Sequence, residues 1–183
     1  MIGLLRGIVA DDIVSPREVE KLAEWLLVNQ EASVVWPIDV VLDRVGQVLE
    51  DGIIDDEERE DLLAIISEIV GAPDHSPFET LAASLPLTRP APPVRFEGRV
   101  FVVTGRFAWG SRSKLMKEIT AHGGVGAESI TRKTDYLVIG TFGSRDWLHG
   151  SYGTKIQNAI DYAGRYGRLA IISEEHWINS LVG

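Results

Sequence analysis

The spacing of apolar residues divides the chain into two halves with different periods. In the first half they recur every three or four positions. Val19, Leu22, Trp25 and Leu26 form one stripe, Val41, Leu42, Val45 and Leu49 a second, and Leu62, Leu63, Ile65, Ile66 and Ile69 a third. Stripes at that spacing lie along one face of an α-helix. Start and stop signals fall where such helices need them. Ser15 caps ahead of Pro16, Pro37 opens the middle stretch, Asp55 caps with Glu58 three residues on, and Gly71 closes the last stretch. A weak repeat runs through this half, with Ala10–Glu18 matching Glu50–Glu58 at an offset of 40 residues. The pattern predicts an all-α bundle of four or so helices, built from paired helix–turn–helix units.

The second half alternates short apolar runs with amphipathic stretches. Arg99–Gly105 and Thr134–Gly140 have strand length and end in glycine, Arg168–Ile172 is a further run, and a weaker strand is expected near Val125–Ser129. Ser111 opens a helix with Leu115, Met116 and Ile119 inward, ending at His122-Gly123-Gly124. Lys155 to about Tyr166 makes a second helix, with Ile156, Ala159, Ile160 and Ala163 inward. Glu174–Leu181, carrying Trp177 as core, makes a third. The order β-α-β-β-α-β-α predicts a four-stranded, mainly parallel sheet flanked by three helices on its two faces.

Charge follows the same division. Residues 1–71 hold 17 acidic and 5 basic side chains, whereas residues 95–183 hold 8 acidic and 12 basic. An overall charge of −9 therefore conceals a basic half able to meet an anionic partner. Six of the eight prolines (Pro73, Pro77, Pro86, Pro90, Pro92 and Pro93) fall between Ala72 and Val94. Proline disfavours helix, so this stretch reads as a linker. Phe78, Leu81 and Leu85 are spaced for a short docking helix within it, which makes the linker only partly free. The expected organisation is an acidic helical domain over 1–71, a proline-rich linker over 72–94 and an α/β domain over 95–183.

Several function classes fall away. The chain contains no cysteine, which removes disulfides, thiolate metal sites and cysteine nucleophiles. Neither a signal peptide nor an apolar run of about 18 residues is present, so a cytoplasmic protein without a membrane partner is expected. The acidic turns of the first half have EF-hand features, but aligning Gly52 with the loop glycine puts Gln47 and Leu49 where oxygen ligands are required. Helix capping is the simpler role for them. Gly105 to Gly110 has P-loop spacing, but Ser111 and Arg112 follow in place of the lysine and hydroxyl residue that such a loop needs. His75, His122, His149 and His176 show no ligand spacing. No enzyme, metal site or cofactor is expected.

The chemistry that remains is anion binding. Thr104-Gly105 ends a strand with a hydroxyl and a backbone N–H that a ligand can approach closely. Lys155, at a helix start, adds a full charge where the helix dipole already favours anions. Each also has a purely structural role open to it: a turn for Gly105, a cap for Thr104, a solvated face for Lys155. Lys114, Lys117, Arg132 and Lys133 form either a basic rim for such a site or ordinary solvated surface. Trp109, in the adjacent loop, is placed either to stack on a base or to anchor the loop.

The second half resembles a BRCT domain over essentially all of 95–183. The features that carry the likeness are Val102-Val103-Thr104-Gly105 after Phe96-Glu97-Gly98, Gly123-Gly124 after the first helix, Lys133–Val138, Lys155 and Trp177. It is most similar to the single BRCT domains of bacterial NAD-dependent DNA ligases, exonuclease-type proteins and the large subunit of replication factor C. The likeness implies a phosphate pocket at Thr104, Gly105 and Lys155, with Arg112 where DNA-binding members carry a further basic residue. It also implies recognition in DNA replication or repair, without catalysis. The helical half shows a shorter likeness to TerB-like domains. Two functions stay open: a binder of DNA ends or nicks through the 5′-phosphate, and a scaffold for an acidic or phosphorylated segment of a replication or repair protein.

Overall fold

The computed structural model describes residues 36, 37, 39–41, 43, 44, 47, 64, 65, 85–142 and 154–181. The chain forms two compact units, Met1–Pro77 with Ala108–Ser111, and Phe78–Phe107 with Arg112–Gly183. In the first unit, residues 39–41, 43, 44, 47, 64 and 65 are helical. Val41 and Ile65, both from the apolar stripes, are buried. The Val41 N–H donates to the Pro37 carbonyl at 3.1 Å, which makes Pro37 the start of a helical turn. The remainder of the bundle reading, with the Ser15 and Asp55 caps, the 40-residue repeat and Leu49, lies outside the described residues.

The second unit is an α/β domain. Its strands are β1 (Val100–Thr104), β2 (Val125–Ala127), β3 (Tyr136–Ile139) and β4 (Ala170–Ser173), and its helices are α1 (Arg112–Ala121), α2 (Thr154–Tyr166) and α3 (Glu174–Asn179). The sheet order is β2-β1-β3-β4, and every pairing is parallel. The sheet is thus wholly parallel, where the sequence pattern called only for a mainly parallel one. β1, β2 and β3 are trimmed relative to their apolar runs, where flanking residues turn into loops, and β4 is shifted, starting two residues later and ending one residue beyond the run.

Strand register fixes which residues share a face. Val102, Leu137 and Ile171 are aligned, and they pack with Ile156 and Ala159 of α2 in one core layer. Phe101 and Tyr136 point the other way. There Phe96 stacks on Phe101 at 5.3 Å and Phe101 on Tyr136 at 4.8 Å between ring centroids. Aromatic pairs of this kind add about 0.5–1.5 kcal/mol beyond the area they bury. Helix α1 lies on that second face. A Cβ on Gly124 would approach the Ile119 side chain to 2.8 Å, so only glycine lets the end of α1 sit this close to the sheet.

The proline-rich stretch is held to the sheet over residues 85–94. Thr88 donates its N–H to the Ile171 carbonyl at 2.8 Å, and its hydroxyl accepts from the Ile171 N–H at 2.9 Å. These bonds cover the outer edge of β4, which would otherwise offer unpaired backbone groups. Further along, the Tyr136 hydroxyl bonds to the Pro93 carbonyl and the His176 ring to the Pro92 carbonyl.

Candidate functional site

In a parallel sheet of this order, the connections after β1 and β3 leave in opposite directions, and ligands collect where they part. Thr104 and Gly105 stand at that point. Register puts Thr104 on the α2 face, opposite Ile139. Gly105 adopts a φ of +89°, which side-chain-bearing residues rarely adopt. Immediately beyond it, Arg106 and Phe142 exchange two backbone hydrogen bonds of 2.9 and 3.1 Å, in an isolated antiparallel bridge. A Cβ on Gly140 would collide with the Arg106 carbonyl. The two loops are therefore knitted together beside the corner where β1 ends. Thr141 is fixed in turn by the buried carboxylate of Glu174, which accepts from its N–H at 2.9 Å and its hydroxyl at 2.7 Å.

Lys155 enters this corner from the first turn of α2. Its ammonium lies 3.5 Å from the Val103 carbonyl, at the outer limit of hydrogen bonding. The pKa of Lys155 is lowered from the usual lysine value, first by burial and then by the Arg112 guanidinium, with Glu128 pulling in the opposite direction. Arg112, at the start of α1 and exposed, is thus near enough for its charge to be felt at Lys155. The structure accordingly brings Thr104, Gly105, Arg112 and Lys155 to one end of the sheet. Two cations share that corner, and the N-termini of α1 and α2 face the same end, where helix dipoles favour anions.

The proposed rim divides. Lys114 is half-buried in the first turn of α1, at the same end of the sheet, and Lys117 is exposed one turn further along. Trp109 is half-buried in a loop segment that groups with the first compact unit. Arg132 and Lys133 lie at the opposite end. Their turn leads into the start of β3, and the Arg132 guanidinium sits 5.2 Å from the ring centroid of Tyr166, the last residue of α2. They do not border the corner that holds Lys155, because the β2–β3 connection carries the chain back down the sheet before β3 begins.

That far end has its own electrostatic centre, built on Asp135. Its carboxylate is 5% exposed and accepts from the Val100 N–H at 2.9 Å. Arg99 approaches it to 3.1 Å and Arg168 to 2.9 Å. Burial works to raise the Asp135 pKa, but the Val100 N–H, Arg168 and Arg99 together outweigh it and hold the carboxyl below its ordinary value. Neither Glu128 nor Asp135 stood out as an ionic partner from sequence. Asp135 does sit inside the Lys133–Val138 run, and an acidic residue at the start of an apolar strand is the signal that could have found it.

No family model matches the chain. It is similar to bacterial DNA ligases through its C-terminal part. The DNA ligase of Syntrophus aciditrophicus is 34% identical over 104 residues, 56% of this chain and 12% of the ligase. That of Geobacter metallireducens is 32% identical over 89 residues, 49% of this chain and 11% of the ligase. That of a Roseiflexus species is 51% identical over a shorter span of 43 residues, 24% of this chain and 6% of the ligase. The chain thus spans a small fraction of the length of the relatives that it matches.

Proposed function

We propose that the second unit is a BRCT-type binding module, without catalytic activity, that recognises a phosphate on DNA ends or nicks in replication or repair. One observation carries the reading. The Lys155 ammonium, its pKa lowered by burial and then by the Arg112 guanidinium, lies 3.5 Å from the Val103 carbonyl, beside the strand end formed by Thr104 and Gly105. Two like charges brought together oppose each other, and a phosphate bound between them turns that repulsion into attraction. The similarity to DNA ligases supports a setting in DNA metabolism.

A 5′-phosphate suits the corner better than a run of internal phosphates does. A terminal phosphate carries more charge than a diester, and so gains more from a corner that holds both Lys155 and Arg112. The test compares a duplex bearing a 5′-phosphate with the same duplex lacking it. The wild type binds the phosphorylated duplex more tightly, and Lys155→Ala loses about 10- to 150-fold on that duplex alone, the size of one charge-assisted contact. A wild type that binds both duplexes equally overturns the DNA-end reading and leaves the scaffold for an acidic or phosphorylated protein segment.

A further inference from the structure

The corner contains a third charged group. Register aligns Gly126 with Phe101, and a Cβ on Gly126 would meet the Met116 sulfur at 2.6 Å, so Gly126 faces α1. Two residues further along the strand direction is Glu128, and one helical turn before Met116 is Arg112. Parallel connections make α1 run opposite to β2, so both steps lead toward the same end of the sheet. Glu128 also follows directly on Ala127, the partner of Val102, and so reaches the level of Val103, whose carbonyl lies 3.5 Å from the Lys155 ammonium. It is exposed, and its effect on Lys155 is opposite in sign to that of Arg112.

We infer that Glu128 is an internal counter-charge of the anion site and determines how strongly the site prefers a terminal phosphate to an internal one. This rests on the phosphate-binding reading above. Glu128 offsets part of the positive charge that Arg112 and Lys155 bring to the corner. Repulsion from Glu128 grows with the charge of the ligand, so it weakens a doubly charged phosphomonoester more than a singly charged diester. The site therefore grips a DNA end less tightly than its cations alone would allow, which favours release.

Glu128→Gln, which keeps the size and removes the charge, is the informative variant, made in the whole 183-residue chain. Its preference for the 5′-phosphorylated over the unphosphorylated duplex rises about two- to fivefold, the effect of one exposed charge. Inorganic phosphate, followed at the Gly105 amide by NMR, binds the variant more tightly by a similar factor. The Lys155 ammonium titrates at lower pH in the variant, because the group that raised its pKa is gone. An unchanged phosphate affinity together with an unchanged Lys155 midpoint overturns the role of Glu128, whatever DNA does. A gain for inorganic phosphate without discrimination between duplexes keeps Glu128 in place and overturns the DNA-end reading alone.

Discussion

The two ends of the parallel sheet use the same side chains to opposite purposes. At the end where β1 and β3 begin, Arg99 and Arg168 converge on Asp135, a buried carboxylate supplied by the fold. At the end where β1 finishes, the buried Lys155 has its pKa lowered further by Arg112, with the exposed Glu128 acting in the opposite direction. The first arrangement is complete as it stands. The second is electrostatically uphill, a cost that the proposed anion would relieve. Clustered cations are thus evidence for a site only when the fold has not already neutralised them.

Removing the carboxylate at the neutralised end should give the largest effect. Asp135→Ala strips an acceptor from the Val100 N–H and leaves Arg99 and Arg168 facing each other. Both arginines are about half exposed, so water screens much of that repulsion. The expected cost is about 2–3 kcal/mol of stability in chemical denaturation, while the folded fraction keeps its preference for a 5′-phosphate. The same residue sets a pH dependence. A carboxyl whose pKa is lower folded than unfolded stabilises fully above its unfolded value, near 3.9, and that contribution is lost as pH falls through the depressed folded value. Asp135→Asn should flatten the stability–pH curve in that acidic window and leave neutral-pH titration behaviour unchanged.

At the other end the sign reverses. Lys155 has its pKa lowered by folding, so its charged form costs stability at neutral pH, and stability rises as pH climbs through the folded value. Lys155→Met keeps the aliphatic stem and removes the charge. Denaturation should show the variant as stable as wild type, or more stable by up to about 1 kcal/mol, with phosphate preference lost. A destabilised Lys155→Met would make the lysine a structural residue and erase the contrast between the two ends.

Much of this fold was legible in the apolar pattern, for a physical reason. Parallel strands buried on both faces must be continuous apolar runs. Val100–Thr104 and Tyr136–Ile139 each lie inside a run read from sequence, and Ala170–Ser173 overlaps a third and passes its end by one residue. Thr104, Gly105 and Lys155 were legible because chain order alone puts the ends of strands and the starts of helices at one end of such a sheet. Glu128 was not, since only strand register brings it level with Val103. Arg132 and Lys133 were drawn toward the pocket by their charge. Their true position depends on a connection between β2 and β3 that returns down the sheet without a helix to announce it. Residues 85–94 read as linker because prolines make few backbone hydrogen bonds, yet a single threonine, Thr88, ties the segment to β4.

The smallest expected effect is also the one that bears most directly on the separation of the two ends. Arg132 rests on Tyr166, an exposed ring, and a cation on an exposed aromatic contributes about 0.5–1 kcal/mol. Arg132→Ala should therefore lower stability by no more than that. Tyr166 stands eleven residues from Lys155 along α2, about 16 Å at 1.5 Å per residue, which exceeds the Debye length of about 8 Å at physiological salt. The charge of Arg132 is consequently screened from a phosphate held at Thr104 and Gly105. Arg132→Ala should bind phosphorylated and unphosphorylated duplexes in the wild-type ratio, with at most a uniform, salt-sensitive loss on both. If the ratio itself falls, the bound nucleic acid reaches both ends of the sheet at once, and the neutralised end takes part in recognition after all.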